Sequence, residues 1–166
     1  VDMAVAADAE ATLPALIEEI KRQTSDARRE AFRQRGARVA ETNRNTYERA
    51  RADATYGWDA SPVSTARLSM ELWAQLKNED WSYVTGWVNW PLRLWNFDKH
   101  YQYIGRAGAE GVGYYAPASV GAALANKKHG RLTVAIQPDG DLMVAPGALW
   151  TSAHHQIPLL VVMQNN

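Results

Sequence analysis

The sequence predicts an α/β fold with a mainly parallel sheet flanked by helices, and three observations in its last third support this. Residues 132–136 and 158–163 form short runs that are apolar enough for strands buried on both faces. Apolar residues recur between them at helical spacing: Leu142, Met143, Ala145, Leu149, Trp150 and Ala153. A helical connection of this length joins parallel strands, so both strands should end at the same edge of the sheet.

The composition indicates one ordinary globular domain. The chain has 166 residues, of which 46% are hydrophobic and 22% charged. Its formal net charge is zero, so nothing suggests a nucleic-acid partner or an anionic membrane. The sequence has no cysteine, which excludes disulfides and thiolate chemistry, and no apolar run approaches the roughly 20 residues of a membrane span. We therefore expect a soluble protein of the cytoplasm.

The N-terminal residues predict a strand followed by a helix. Residues 1–7 alternate as a strand does, and Asp8 is suited to cap the helix that follows. That helix has four apolar residues at helical spacing: Leu13, Leu16, Ile17 and Ile20. Because these two elements have no sheet of their own, we expect residues 1–22 to be the end of a preceding α/β domain, and the chain to be a piece of a longer protein.

Residues 23–61 form a polar stretch that predicts a charged helical linker. Eight arginines lie in it: Arg28, Arg29, Arg33, Arg35, Arg38, Arg44, Arg49 and Arg51. Acidic residues are interleaved with them, which favours a solvated helix over the alternative of a basic nucleic-acid patch. Glycine and proline at 57–62 then mark a boundary.

The third region, residues 62–166, opens with a helix at 64–76 and a strand at 81–88. Four tryptophans crowd this segment: Trp81, Trp87, Trp90 and Trp95. Such a cluster can bind sugars or stacked rings, but buried cores and subunit contacts are commoner uses of tryptophan. We therefore interpret the cluster as structural.

Polar residues follow both strands of the last third. Asp139 and Gly140 come after the first, and Asn165 and Asn166 come after the second. If the strands are neighbours, a carboxylate and an amide converge where open α/β sheets bind ligands. These hard oxygen donors suit magnesium or calcium, and a helix N-terminus beside them suits phosphate. The alternative is an ordinary Asp-Gly turn and a polar strand end.

A glycine-rich loop is the second informative segment. Gly105, Gly108, Gly111 and Gly113 allow the backbone to pass close to a ligand, and a helix follows at 117–127. The spacing differs from the GxGxxG fingerprint, which disfavours a dinucleotide-dependent oxidoreductase.

Asp139-Gly140, the 24 residues from 141 to 164, and Asn165-Asn166 together resemble the GDG…NN motif of thiamine diphosphate (ThDP) enzymes. Pro138 stands where that motif has its first glycine. In the family, the Asp and the second Asn bind the metal that holds the cofactor's diphosphate. The resemblance therefore implies Mg²⁺ bound by Asp139 and Asn166.

The run at 111–118, Gly-Val-Gly-Tyr-Tyr-Ala-Pro-Ala, resembles the cofactor loop of acetolactate synthase-like enzymes. Val112 occupies the position of the bulky apolar residue that keeps the cofactor bent, and the Glu110 carbonyl would accept from the aminopyrimidine. A looser match puts Asn89 near the diphosphate. The resemblance thus implies cofactor contacts at Asn89, Glu110, Gly111, Val112, Gly113, Gly140, Asp141 and Asn166.

The resemblance implies that residues 62–166 are a ThDP diphosphate-binding domain, truncated at its C-terminal side. The complete enzyme would ligate or decarboxylate 2-keto acids or related carbonyl compounds. The activating glutamate of the family lies on a pyrimidine-binding domain, usually of another subunit, so we expect a homodimer or homotetramer and an inactive isolated chain. The alternatives are a non-catalytic magnesium or phosphate-binding module and a fragment kept for subunit packing.

Overall fold

The structure, a computed structural model, describes residues 3–86, 89–105 and 111–165, with the side chains of residues 85 and 86 left out. The chain divides into two compact units, Val1–Glu48 and Arg49–Asn166. The second unit contains the sheet and every predicted site residue.

The N-terminal unit begins with helix α1, Ala9–Gln23. Asp8 caps it as predicted, because its Oδ1 accepts from the Ala11 N–H at 2.8 Å. Residues 3–7 form no strand, so the strand predicted at 1–7 is wrong over its described part. The alternating pattern there has no described strand to pair with, and an unpaired strand leaves its backbone groups to water.

Helix α2, Asp26–Ala54, contains the arginine-rich segment. Its side chains are exposed up to Arg49, and ion pairs such as Arg29 with Asp26 lie at the surface. The predicted solvated helix is therefore confirmed, and its exposed ion pairs add little stability. Within the part of the chain that the structure describes, no helix combines the length and apolar character that a bilayer span requires.

The C-terminal unit alternates helices and strands. After the end of α2, its elements are α3 (Thr65–Leu76), β1 (Trp81–Gly86), α4 (Trp90–Leu94), α5 (Tyr115–Lys127), β2 (Leu132–Pro138), α6 (Asp139–Val144), α7 (Gly147–His154) and β3 (Leu160–Gln164). The three strands form one sheet in the order β1-β2-β3, and both pairs are parallel. The predicted α/β fold with a parallel sheet flanked by helices is confirmed.

The segment at residues 102–104 lies beside β1 and continues the parallel arrangement of the sheet. The Tyr83 N–H donates to the Gln102 carbonyl at 2.8 Å, and the Ile104 N–H donates to the Tyr83 carbonyl at 3.3 Å. Tyr103 thereby forms a parallel bridge with Tyr83. Because this segment runs in the same direction as the strands, the glycine-rich loop starts at the edge where the strands end.

Aromatic side chains fill the core between α3 and the sheet. Trp81 and Trp95 are almost completely buried, with ring centroids 5.5 Å apart in an edge-to-face arrangement. The Trp95 indole N–H donates to the Ser69 carbonyl at 2.8 Å, which satisfies its polar atom. The structural interpretation of the tryptophan cluster is confirmed for these two residues, whereas Trp87 lies outside the described residues.

The connection from β2 to β3 differs from the single helix that the sequence predicts. Two helices, α6 and α7, are separated at Ala145 and Pro146. Proline disfavours a helical conformation in the residue before it, and Ala145 has φ −133° and ψ 51°. The break also changes burial, because Leu142 is buried whereas Met143 and Trp150 are 69% and 65% exposed.

Candidate functional site

The candidate site lies at the carboxyl edge, by which we mean the side of the sheet where β1, β2 and β3 end. Pro138 of β2 pairs with Gln164 of β3, so Asp139 and Asn165 follow at neighbouring positions. The prediction that the two strands are neighbours ending at one edge is confirmed. Asn166 lies outside the described residues, and its metal contact with Asp139 stays a prediction.

Asp139 and Gly140 form the first turn of α6. Asp139 is half-buried, and Gly140 is exposed. A Cβ atom placed on Gly140 would meet no described atom within 4 Å, so the space above its backbone is open. The arrangement leaves room for a group that approaches the backbone at Gly140 beside a carboxylate.

Asp141, the third residue of α6, is the most buried acid of the site. Asp141 is only 6% exposed, and its Oδ1 accepts a hydrogen bond from the Gly113 N–H at 2.6 Å. Its Oδ2 is buried without a hydrogen-bond partner among the described residues. The cofactor contact predicted for Asp141 stays a prediction, and its contact with the glycine-rich loop was not predicted.

Gly113 is a position that only glycine can occupy without movement of its neighbours. Its φ is +91°, and a Cβ on it would lie 2.6 Å from Cγ1 of Val144 in α6. Gly111 is exposed, and Val112 between the two glycines is 75% exposed. Val112 therefore contributes nothing to the core, and its role beneath a cofactor stays a prediction. Glu110 lies outside the described residues.

A buried polar network lies below the same edge. The Gln137 amide Nε2 donates to the Ser119 hydroxyl at 3.1 Å, and that hydroxyl donates to the Tyr115 carbonyl at 2.7 Å. Gln137 Oε1 has no hydrogen-bond partner among the described residues. Gln137 and Ser119 were not predicted, although a glutamine directly after the apolar run at 132–136 was a signal that could have identified the network.

Asn89 lies beyond the end of β1. It is exposed and immediately precedes α4, and its side chain makes no capping hydrogen bond there. Because β1 ends at the carboxyl edge, Asn89 follows a third strand that ends there. Its contact with a diphosphate stays a prediction.

The family of the chain is shown by a match that covers the carboxyl edge. Residues 84–166 match the family described as thiamine pyrophosphate enzyme, C-terminal TPP binding domain. The chain belongs to the thiamine pyrophosphate enzymes. The match spans half of the chain and contains every predicted site residue. No solved structure matches the chain.

The residues present fit the cofactor of thiamine pyrophosphate enzymes, which is the compound also called thiamine diphosphate. The carboxyl edge offers the Asp139 carboxylate, the Asn165 amide and the open backbone at Gly140. Such oxygens suit a hard divalent cation that bridges to phosphate. Within the described residues, no group of three or more His, Cys, Asp or Glu side chains could hold a metal. A metal here would therefore need amide, phosphate or water oxygens as well.

A cavity of about 440 Å³ lies elsewhere in the C-terminal unit of this thiamine pyrophosphate enzyme. It is lined by Arg51, Ala54, Thr55, Trp58, Met70 and Leu94. None of these is a predicted site residue. The site is therefore assigned from the strand ends and the family match rather than from this cavity.

Proposed function

We propose that this protein is the diphosphate-binding part of a ThDP- and magnesium-dependent enzyme that forms or cleaves carbon-carbon bonds next to a carbonyl group. The observation that carries the proposal is the parallel register of β2 and β3, in which Asp139 and Asn165 follow paired residues. The family match supports the cofactor. The resemblance of residues 111–118 to acetolactate synthase-like enzymes favours carboligation or decarboxylation of a 2-keto acid or a related small carbonyl compound.

The residues of the chain would hold the cofactor at two places. Asp139 and Asn166 would bind Mg²⁺, and the open backbone at Gly140 would let the diphosphate approach. The loop at 111–113 would face the rings of the cofactor, with Val112 beneath them. When bound, ThDP supplies the electron sink for making or breaking the carbon-carbon bond.

We infer that the acid that would activate the bound cofactor lies outside the described site. Glu110 is the only acid between residues 105 and 113, and we assign its backbone carbonyl rather than its carboxylate to the ring. We propose that a glutamate on a pyrimidine-binding domain of a second subunit supplies the acid, in a homodimer or homotetramer of the cytoplasm.

The 166-residue chain alone should therefore not turn over substrate. A positioned proton-transfer group is worth about 10²- to 10⁴-fold in rate. We expect no carbon dioxide release above background from the chain with ThDP, Mg²⁺ and pyruvate. Multiple turnovers in that assay would show that the activating acid lies within these residues.

Isothermal titration calorimetry of ThDP into the 166-residue chain tests the proposed site. With Mg²⁺ present, we expect binding, and with EDTA we expect none. Asp139→Ala should weaken magnesium-dependent binding about 100-fold or more, because the ion loses a charged ligand. Asp98→Ala removes an exposed carboxylate away from the carboxyl edge and serves as the matched control. Equal affinity in Asp139→Ala and Asp98→Ala would contradict the assignment.

A further inference from the structure

Two contacts join the 111–113 loop to α6. The Gly113 N–H donates to Asp141 Oδ1 at 2.6 Å, and the Gly113 α-carbon lies so close to Val144 that a Cβ would be 2.6 Å from its Cγ1. Gly113 and Asp141 are 28 positions apart in the sequence, so their hydrogen bond is a tertiary contact. The loop and the helix are thus held by one polar and one packing contact.

The physical chemistry of the Asp141 contact favours a strong bond. A carboxylate acceptor makes a shorter and stronger bond with a backbone N–H than a neutral acceptor does. The residue is 6% exposed, so water competes poorly for the same oxygen. Asp141 is also two residues beyond Asp139 in a single short helix, which makes the position of the loop depend on the position of the proposed metal ligand.

We propose that Asp141 is a positioning residue, which fixes the 111–113 loop against α6 and so sets the distance between the two places that hold the cofactor. The proposal rests on the proposed function for what the loop faces. In this assignment Asp141 acts through Gly113 and Val112 and does not bind the metal or the diphosphate. Loss of its carboxylate should release the loop and leave the diphosphate end of the site intact.

Amide hydrogen exchange in the cofactor-free 166-residue chain tests the contact itself. Asp141→Ala should speed exchange at the Gly113 amide by at least about tenfold, the factor expected for loss of a hydrogen bond to a charged acceptor. Asp141→Asn keeps an oxygen acceptor in the same position and should stay within about threefold of the unmodified chain. Exchange of the β2 amides should not change in either variant, which controls for general unfolding. An unchanged Gly113 rate in Asp141→Ala would overturn the inference.

Binding of two probes tests the positioning role. Magnesium pyrophosphate presents the diphosphate without rings, whereas magnesium ThDP presents both. Asp141→Ala should raise the Kd of ThDP at least about tenfold and change the Kd of pyrophosphate by less than about twofold, and Asp141→Asn should recover most of the ThDP affinity. Asp139→Ala should weaken both probes. Equal weakening of both probes by Asp141→Ala would make Asp141 a ligand of the metal or the diphosphate and overturn the positioning role.

The two measurements separate failure of this inference from failure of the proposed function. If the unmodified chain binds neither probe, the proposed function is wrong, and the positioning role falls with it, while the exchange rates still report whether Asp141 holds Gly113. If the chain binds both probes but Asp141→Ala behaves like the unmodified chain, the proposed function stands and the positioning role is overturned.

Discussion

The two edges of the same sheet differ in how completely their polar groups are paired. At the amino edge, where the strands begin, Arg131 Nε lies 3.3 Å from both Asp80 oxygens, and its Nη1 donates to Asn126 Oδ1 at 3.0 Å. The Asn126 amide donates in turn to Thr133 Oγ1 at 2.9 Å. The Arg131 guanidinium also lies 3.3 Å above the Tyr101 ring centre. The side chains of Asp80, Asn126, Arg131 and Thr133 thus pair with one another.

The carboxyl edge is incompletely paired by comparison. Asp141 Oδ2 and Gln137 Oε1 are buried there without hydrogen-bond partners among the described residues, and a third such atom, Ser82 Oγ, lies near the beginning of β1. A buried polar atom without a partner costs about 1–3 kcal/mol. The carboxyl edge thus holds two of the three unpartnered buried side-chain oxygens among the described residues, and the amino edge holds one. The unpartnered atoms therefore favour the carboxyl edge as the binding edge, whereas the cavity of about 440 Å³ is lined by no predicted site residue.

Among the variants that test this contrast between the edges, Gly113→Ala at the carboxyl edge should have the largest effect. The new Cβ would lie 2.6 Å from Val144 Cγ1 at φ +91°, so the loop must move away from α6. We expect the ThDP Kd to rise about tenfold or more and the stability of the C-terminal unit to fall by about 2 kcal/mol. Calorimetric titration and urea unfolding measure the two effects.

Gly121→Ala in α5 is the matched control for this variant. A Cβ there meets no described atom within 4 Å, and alanine is favoured over glycine in a helix by about 1 kcal/mol. We expect Gly121→Ala to be neutral or slightly stabilising, with unchanged ThDP binding. Full ThDP affinity in Gly113→Ala would show that the loop's close approach to Val144 has no part in the site.

An intermediate effect, on stability alone, is expected at the amino edge. Arg131→Met keeps the aliphatic stem but leaves the buried Asn126 Oδ1 without its donor, so the C-terminal unit should lose about 1–3 kcal/mol. The pair with Asp80 adds little to this, because Asp80 is partly exposed. The ThDP Kd should stay within about twofold of the unmodified value. A loss of ThDP affinity larger than the loss from Gly113→Ala would break the distinction between the two edges.

The sequence predicted the parallel pairing of β2 and β3 but not two local features of the fold, the break between α6 and α7 and the absence of a strand at residues 3–7. Apolar runs and helical spacing were enough for the parallel pairing of β2 and β3, because these patterns reflect burial of adjacent segments. The break between α6 and α7 was also readable, since Pro146 disfavours a helical residue before it, and the prediction of one helix overlooked that signal. The strand predicted at 1–7 was wrong over residues 3–7, because alternation alone does not supply a pairing partner.

The site was predictable only in its motif residues. Asp139 and the two asparagines can be identified from the sequence because they directly follow apolar runs. The contact between Gly113 and Asp141 cannot, because it joins residues 28 positions apart and depends on how α6 packs. Burial of Asp141 is likewise a tertiary property, since an acid after Asp-Gly is compatible with an exposed turn. The sequence was therefore enough to predict that the site lies at the carboxyl edge, whereas the hydrogen bond between Asp141 and Gly113 depends on the packing of α6.

The smallest expected effect tests whether the unpaired oxygen at Gln137 belongs to the binding edge. Gln137→Met removes the unpartnered Oε1 and also the hydrogen bond from Nε2 to Ser119 Oγ, in a residue with no exposed surface. Loss of the hydrogen bond destabilises the chain and removal of the unpartnered oxygen stabilises it, and the two side chains have similar length, so stability should change by less than about 1 kcal/mol. Urea unfolding of the cofactor-free chain measures this balance.

Ser119→Ala is the companion variant, because it removes the same hydrogen bond but keeps Oε1 of Gln137. Ser119→Ala should destabilise more than Gln137→Met, because it leaves Nε2 buried without an acceptor as well. If Gln137→Met were instead the more damaging of the two, Oε1 would have to be satisfied in solution, and the contrast between the edges would rest on Asp141 alone.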